Sequence, residues 1–185
     1  MVFRLPADAE LPSQLEYLET NADGAGLSLE QLAKLCLDEV LIVGRSILLS
    51  EYPQSEPGLS AEEVARRNLQ ARITTYAAEA ADNWKFELVG GVMKLTMIKL
   101  CEQTEIEKDE FTVEVKKQYR VLRLRDSVYT QAIYDDKGEV VVEEFAPVDF
   151  TGSTFDHIPL QIIGAENNLP DIDQAPISGI VDLNT

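Results

Sequence analysis

The single histidine of the chain, His157, follows Asp156 directly, and a carboxylate beside an imidazole is where general acid–base chemistry could begin. Adjacent residues do not face one another on a helix or a strand, however, and no nucleophile signature such as GxSxG accompanies the pair. A histidine-based metal site would need carboxylates for its remaining ligands. Asp171 and Asp173 offer two, in "DIDQAPISGIVD", but an EF-hand loop requires glycine at its sixth position and glutamate at its twelfth, where this stretch has Pro176 and Asp182. The phosphate-cradling patterns GxxxxGK and GxGxxG are absent as well. Cys36 and Cys101 lack metal-ligand spacing and read as reduced, buried thiols. No catalytic, cofactor-binding or metal-binding residue is assigned on these grounds, and the chain reads as a non-enzyme without a cofactor or a small-molecule substrate.

One cluster of charge stands out. Lys116, Lys117, Arg120, Arg123 and Arg125 place five of the sixteen basic residues within ten positions, with Tyr119 and Tyr129 nearby. Such a run is either a strip for nucleic acid or one side of cross-strand charge pairs with acidic neighbouring strands, and pairing explains more with fewer assumptions. The formal charge of −17 makes the surrounding field repel phosphate, which argues against general affinity for DNA or anionic membranes.

The elements that would carry these residues follow from periodicity. At 185 residues and 45% apolar content the chain is long and hydrophobic enough to bury a core. "MVFRLPADAELP" has no signal-peptide core, and "LAKLCLDEVLIVGRSILL" is interrupted by Asp38, Glu39 and Arg45 before it could span a bilayer. The protein therefore reads as soluble and intracellular. Ser28 and Gln31 have capping-box spacing ahead of Leu29, Leu32, Cys36, Val40 and Val43, which recur at helical intervals. Leu35, Leu37, Leu41 and Ile42 lie off that stripe. The helix is thus either central in a monomer or packed on its own sheet and on a neighbouring subunit.

Gly44 ends this helix, and "SILLSEYP" reads as a strand. Ser60 and Glu63 cap a short polar helix through about Asn68. From Arg72 the period becomes two: "RITTY", "NWKFEL", a Gly90-Gly91 hairpin, "VMKLTMIKLC", a charged loop "EQTEIEKDE", then "FTVEVKKQYRVLRLR", "VYTQAIYD" and "EVVVEEF". In the long strand the apolar set moves from odd positions through Val121 to even positions at Leu122 and Leu124. Either a bulge or sharp twist lies near Val121, or Arg123 and Arg125 are solvated while the leucines cover another element. The fold class is α+β, with N-terminal helices packed on an antiparallel β-meander of about five to six strands. Residues 1–27 form a loosely ordered lead-in with a short helix near Gln14 to Leu18. Residues 28–164 form the α+β domain, and residues 165–185 form a turn-rich loop and the start of a helix at Pro176.

Four phrases, "LCLDEVLIVGRSILLSEYP", "YAAEAADNW", "QYRVLRLRDSVY" and "FDHIPLQIIGAENNLPDIDQAPISGIVDLN", resemble in that order an uncharacterised-domain branch of bacteriophage and prophage portal-like proteins, the head-to-tail connectors. The resemblance runs from about Leu27 to the end, and "VFRLP" resembles the family's entry into this region. Departures occur at Ile47, where the family usually has glycine, at the alanines of "AADNW", and at Ile177, where it has a paired leucine. The resemblance implies an internal segment of a structural protein that forms a homo-oligomeric ring at the virion capsid vertex, assembled in the bacterial host cytoplasm. Packaged double-stranded DNA would pass through that ring, in transient and non-specific contact, and the packaging motor (terminase) and tail or adaptor proteins would dock on it. The alternative is a free-standing protein-interaction module, such as a small phage head or tail adaptor. A hydrolase built on paired carboxylates has the least support.

Overall fold

The computed structural model describes residues 11–52, 61–67, 69–149 and 152–181. The chain divides into two compact units, one of Met1–Ala78 with Leu160–Thr185 and one of Glu79–Pro159. This division differs from the one expected at residues 27 and 164, because the meander sits in sequence inside the helical unit and does not continue it.

The first unit is built on helix α1, Leu29–Val43. Its capping box forms as the spacing requires: the Gln31 amide donates to Ser28 Oγ at 3.1 Å, and the Ser28 amide donates to Gln31 Oε1 at 2.9 Å. At the other end Gly44 takes a left-handed φ of 93° and donates its N–H to the Val40 carbonyl at 2.9 Å. The chain then runs directly into β1, Arg45–Glu51. Leu32, Cys36 and Val40 are the buried positions of α1, and Ile47 and Leu49 of β1 are fully buried. Strand β1 is central in a three-stranded antiparallel sheet. On one side it pairs with β2, Arg72–Ala77, and on the other with Leu160–Gly164, the last strand among the described residues, designated β8.

That strand was not among the expected ones, the last of which was "EVVVEEF". Its five residues carry too little pattern to identify a strand alone, and what makes them one is an open edge of β1 more than a hundred positions earlier. A short polar helix, α2, spans Ala61–Arg66, while its expected cap Ser60 lies outside the described residues. The stretch ahead of α1 is anchored: a 3-10 helix occupies Ser13–Glu19, the Tyr17 hydroxyl donates to the Ala71 carbonyl at 2.7 Å, and the Ile73 amide donates to the Ala22 carbonyl at 2.8 Å. Asp23 Oδ1 accepts from the amides of Ala25 and Leu27, folding "NADGAG" into a tight loop.

The second unit is the meander. Strands β3 (Ala81–Val89), β4 (Val92–Asp109), β5 (Thr112–Arg125), β6 (Val128–Asp135) and β7 (Val140–Phe145) lie in sequence order, each antiparallel to the next. The fold is therefore α+β with two antiparallel sheets. The expectation that N-terminal helices pack on the meander is corrected in one respect: α1 lies against β1 and β2 of the smaller sheet.

Two further expectations change. "EQTEIEKDE" is not a loop, since β4 runs through it to Asp109 and pairs with β5 from Gln103↔Lys117 outward. Its charges suggested a loop, but Thr104 and Ile106 alternate with glutamates, and pairing with a neighbouring strand outweighs weak intrinsic preference. The register also passes through Val121 without a break on either side, so no bulge lies there. The change of parity has another cause: Leu122 and Leu124 are buried on one face with Ile98, Leu100 and Tyr129, while Val121 and its partner Ala132 are buried on the other. The irregularities lie elsewhere: at Ala81/Asn83 and Lys85/Phe86 in β3, where Thr96 Oγ1 donates to the Lys85 carbonyl at 3.2 Å, at Glu107/Asp109 in β4, and between Gln131 and Tyr134 in β6. Asp126 and Ser127, with φ of 50° and 61°, form the tight turn between β5 and β6.

Candidate functional site

The residues with chemical potential are dispersed, and most of their polar atoms are engaged in holding the fold. His157 and Asp156 meet outside any helix or strand: they sit in a bend, where neighbouring side chains can converge, with Nδ1 2.8 Å from Asp156 Oδ1. The hydrogen bond from His157 holds the Asp156 carboxyl below its usual range, with the imidazole charge and Lys94 adding to the effect. Both side chains are largely exposed, and the ring stands edge-on to Phe155, which itself packs edge-on to Tyr129. This solvated pair sits in the turn that brings Phe155 to Tyr129, whose amide donates to the Phe155 carbonyl at 2.9 Å.

Asp173 has a more definite task. Its Oδ2 accepts from the amides of Glu166 and Asn167 at 2.8 and 3.1 Å, and its Oδ1 accepts from Asn167 Nδ2 at 2.9 Å. These backbone hydrogen bonds, and secondarily the positive charge of Arg45, hold its carboxyl below the ordinary range. The loop after β8 is thereby closed on itself. A Cβ added at Gly164 would collide with the Asn167 carbonyl and with Asp173 Oδ2, and one at Gly44 would collide with the Asp173 carbonyl oxygen. Lone pairs that a cation would need are already occupied by amide donors. Among the described residues there is no group of three or more His, Cys, Asp or Glu side chains arranged to hold a metal.

The buried charge near this loop is Arg45, which sequence reasoning treated only as an interruption of an apolar run. Its Nη2 donates to the Ala78 carbonyl at 2.5 Å, while Glu39 Oε1 accepts from the Ala78 amide at 3.1 Å. One basic and one acidic side chain thus hold both polar groups of a single peptide position at the end of β2. Cys36 is buried in α1, Cys101 is half-buried in β4, and both are free.

The basic run on β5 divides between two faces, because side chains alternate along a strand. Lys116 and Arg120 share one face, and Lys117, Arg123 and Arg125 the other. Arg120 Nε donates to Glu102 Oε1 across the strands at 2.6 Å, with Gln131 accepting from its Nη1 at 3.1 Å. Arg123 and Arg125 both approach Glu144 of β7, at 3.8 and 3.5 Å. Lys99 lies over the Tyr119 ring at 4.0 Å and pairs with Asp82. The arginines are therefore cross-strand charge pairs, and the strip does not form a continuous basic surface.

Several large apolar side chains also remain exposed. On α1, Leu35, Leu37, Leu41 and Ile42 face outward to differing degrees, Ile42 at 60%. On the distal part of β4 and β5, Ile106, Val113 and Val115 are exposed, and Phe111 at the turn is 90% exposed. Sequence reasoning missed this second surface, because the assigned loop hid a strand; the alternation of Val113 and Val115 was its signal. No helix among the described residues is long and apolar enough to cross a membrane. No protein-family model matches the chain, and no curated protein matches it.

Proposed function

We propose that the chain is a structural segment of a phage or prophage portal, acting through protein surfaces and carrying no catalytic centre. The observation that supports this most is the longest resembling phrase, "FDHIPLQIIGAENNLPDIDQAPISGIVDLN". Its residues make a built device: β8 completes the small sheet, the Asp173 carboxylate closes the following loop, and the Ile177 amide reaches the Leu41 carbonyl of α1 at 3.4 Å. In this role the chain forms part of a homo-oligomeric ring at the capsid vertex, with the terminase motor and tail or adaptor proteins as partners.

The electrostatics fit a conduit. A net charge of −17 repels duplex DNA, and Arg120, Arg123 and Arg125, which could have gripped phosphate, are turned to Glu102 and Glu144. Transient contact without tight binding is the behaviour expected of a wall past which DNA slides. A second reading, a free-standing head or tail adaptor, draws on the exposed apolar residues of α1 and of the β4–β5 turn, which serve protein partners equally well. Negative-stain electron microscopy of the complete gene product separates the two. Closed rings with a central channel are expected, and discrete monomers or dimers at all concentrations would reject the portal reading.

A further inference from the structure

The meander narrows to two strands at one end. Strand β3 accompanies β4 only as far as Leu100, and β6 accompanies β5 only as far as Gln118, yet β4 and β5 continue to pair out to Asp109↔Thr112. The resulting arm extends roughly 20 Å at about 3.4 Å per residue. A two-stranded ribbon is marginal in water by itself. Among the described residues no strand covers the outer edge of β5 over residues 112–117, and an open edge is a template for another strand.

We infer that two copies of this chain pair through that edge, antiparallel, about a two-fold axis at Val115. The occupant is chosen by charge complementarity within "TVEVKK". With the axis at Val115, Glu114 of each copy lies opposite Lys116 of the other, giving two unlike pairs on either side of a Val115–Val115 contact. Val113 then lies opposite the aliphatic stem of Lys117. Every residue meets one from the same face of the sheet, as antiparallel pairing requires. Neighbouring registers fail: an axis at Glu114 sets glutamate against glutamate, and one at Lys116 sets lysine against lysine.

Within its own chain the Lys116–Glu114 approach is 3.9 Å with both side chains about half exposed, a weak contact that leaves each able to reach a neighbour. Val113 and Val115 are likewise more than half exposed. The contact is isologous and closes at two copies. It is therefore separate from the head-to-tail contacts of a ring, and its test does not depend on the portal reading.

The test is sedimentation equilibrium of the full chain, at about 0.15 M salt, where long-range repulsion between the acidic copies is screened beyond about 8 Å. The concentration series extends to on the order of 1 mM, because pairing over only residues 113–117 of each copy makes a contact smaller than a standard stable interface. Wild type is expected to dimerise. Glu114→Lys alone sets lysine against lysine twice, and Lys116→Glu alone sets glutamate against glutamate twice, so each should weaken self-association by about tenfold or more. An equimolar mixture of the two variants should restore dimers, because every opposed pair is again unlike. A wild type that stays monomeric throughout, single variants that associate as wild type does, or a mixture no stronger than its components would each overturn the inference.

Discussion

Replacing Gly44 by alanine tests whether the helix-to-strand corner and the returning loop form one packed joint. Two costs act together. Gly44 has a φ of 93°, and an L-residue held there loses about 1–2 kcal/mol. The added Cβ would also lie against the Asp173 carbonyl, a backbone atom that cannot rotate aside, and overpacking of this kind costs about 1–3 kcal/mol. Gly26, in the same unit, supplies the control: its φ is 103°, but nothing lies within 4 Å of where a Cβ would be. Gly26→Ala should therefore incur only the conformational cost. Urea unfolding followed by far-UV circular dichroism, dominated in this unit by α1, reads both. With a slope of about 2 kcal/mol per molar, Gly44→Ala should lower the midpoint by roughly 1–2.5 M and Gly26→Ala by less than about 1 M. Equal shifts for the two variants would mean that the loop is not seated against Gly44, and the description of that corner would fail.

Other outcomes follow from the same geometry. Asp173 has a depressed folded-state pKa, so its contribution is fully present above the ordinary carboxylate range and is lost as pH falls through and below it; the protection of the Glu166 and Asn167 amides, read from exchange corrected for its intrinsic pH dependence, should fall on acidification, and Asp173→Asn should remove that dependence. Arg120 and Glu102, with side chains only 15% and 12% exposed, should show a coupling of about 1–2 kcal/mol in a double-mutant cycle read by Trp84 fluorescence. Phe111→Ser should leave thermal stability within about 0.5 kcal/mol, since a 90% exposed side chain contributes little to the folded unit. The full chain should not bind duplex DNA tightly at physiological salt in an anisotropy titration, and tight binding with a steep salt slope would refute the sliding-wall account.

Helix α1 was legible because its information is local: Ser28, Gln31 and Gly44 are cap signals a few residues from what they cap. The Gly90-Gly91 hairpin was legible for the same reason, its two glycines, both at positive φ, standing between two runs of period two. What could not be read depended on distant partners. Leu160–Gly164 becomes a strand through β1, and residues 102–109 become one through β5. The parity change at Val121 misled because apolar residues at both parities mark a strand buried on two faces as readily as one that is kinked. Among the residues with chemical potential, the division of the basic run into charge pairs followed from strand alternation. The roles of Arg45 and Asp173 did not, because their partners are backbone groups, which carry no residue identity for a sequence to display.

The discontinuity of the first unit has a consequence for the order of events on the ribosome. Strand β1 emerges early, but its partner Leu160–Gly164 and the Asp173 clasp are translated only after the whole meander. At about 5–20 residues per second, one side of β1 waits on the order of ten seconds for its neighbour. During that interval Ile47 and Leu49 lie in a half-finished sheet while Glu79–Pro159 can already close its own hairpins. The nascent chain is thus most exposed to chaperones and to mispairing at β1, not at the strands made after it.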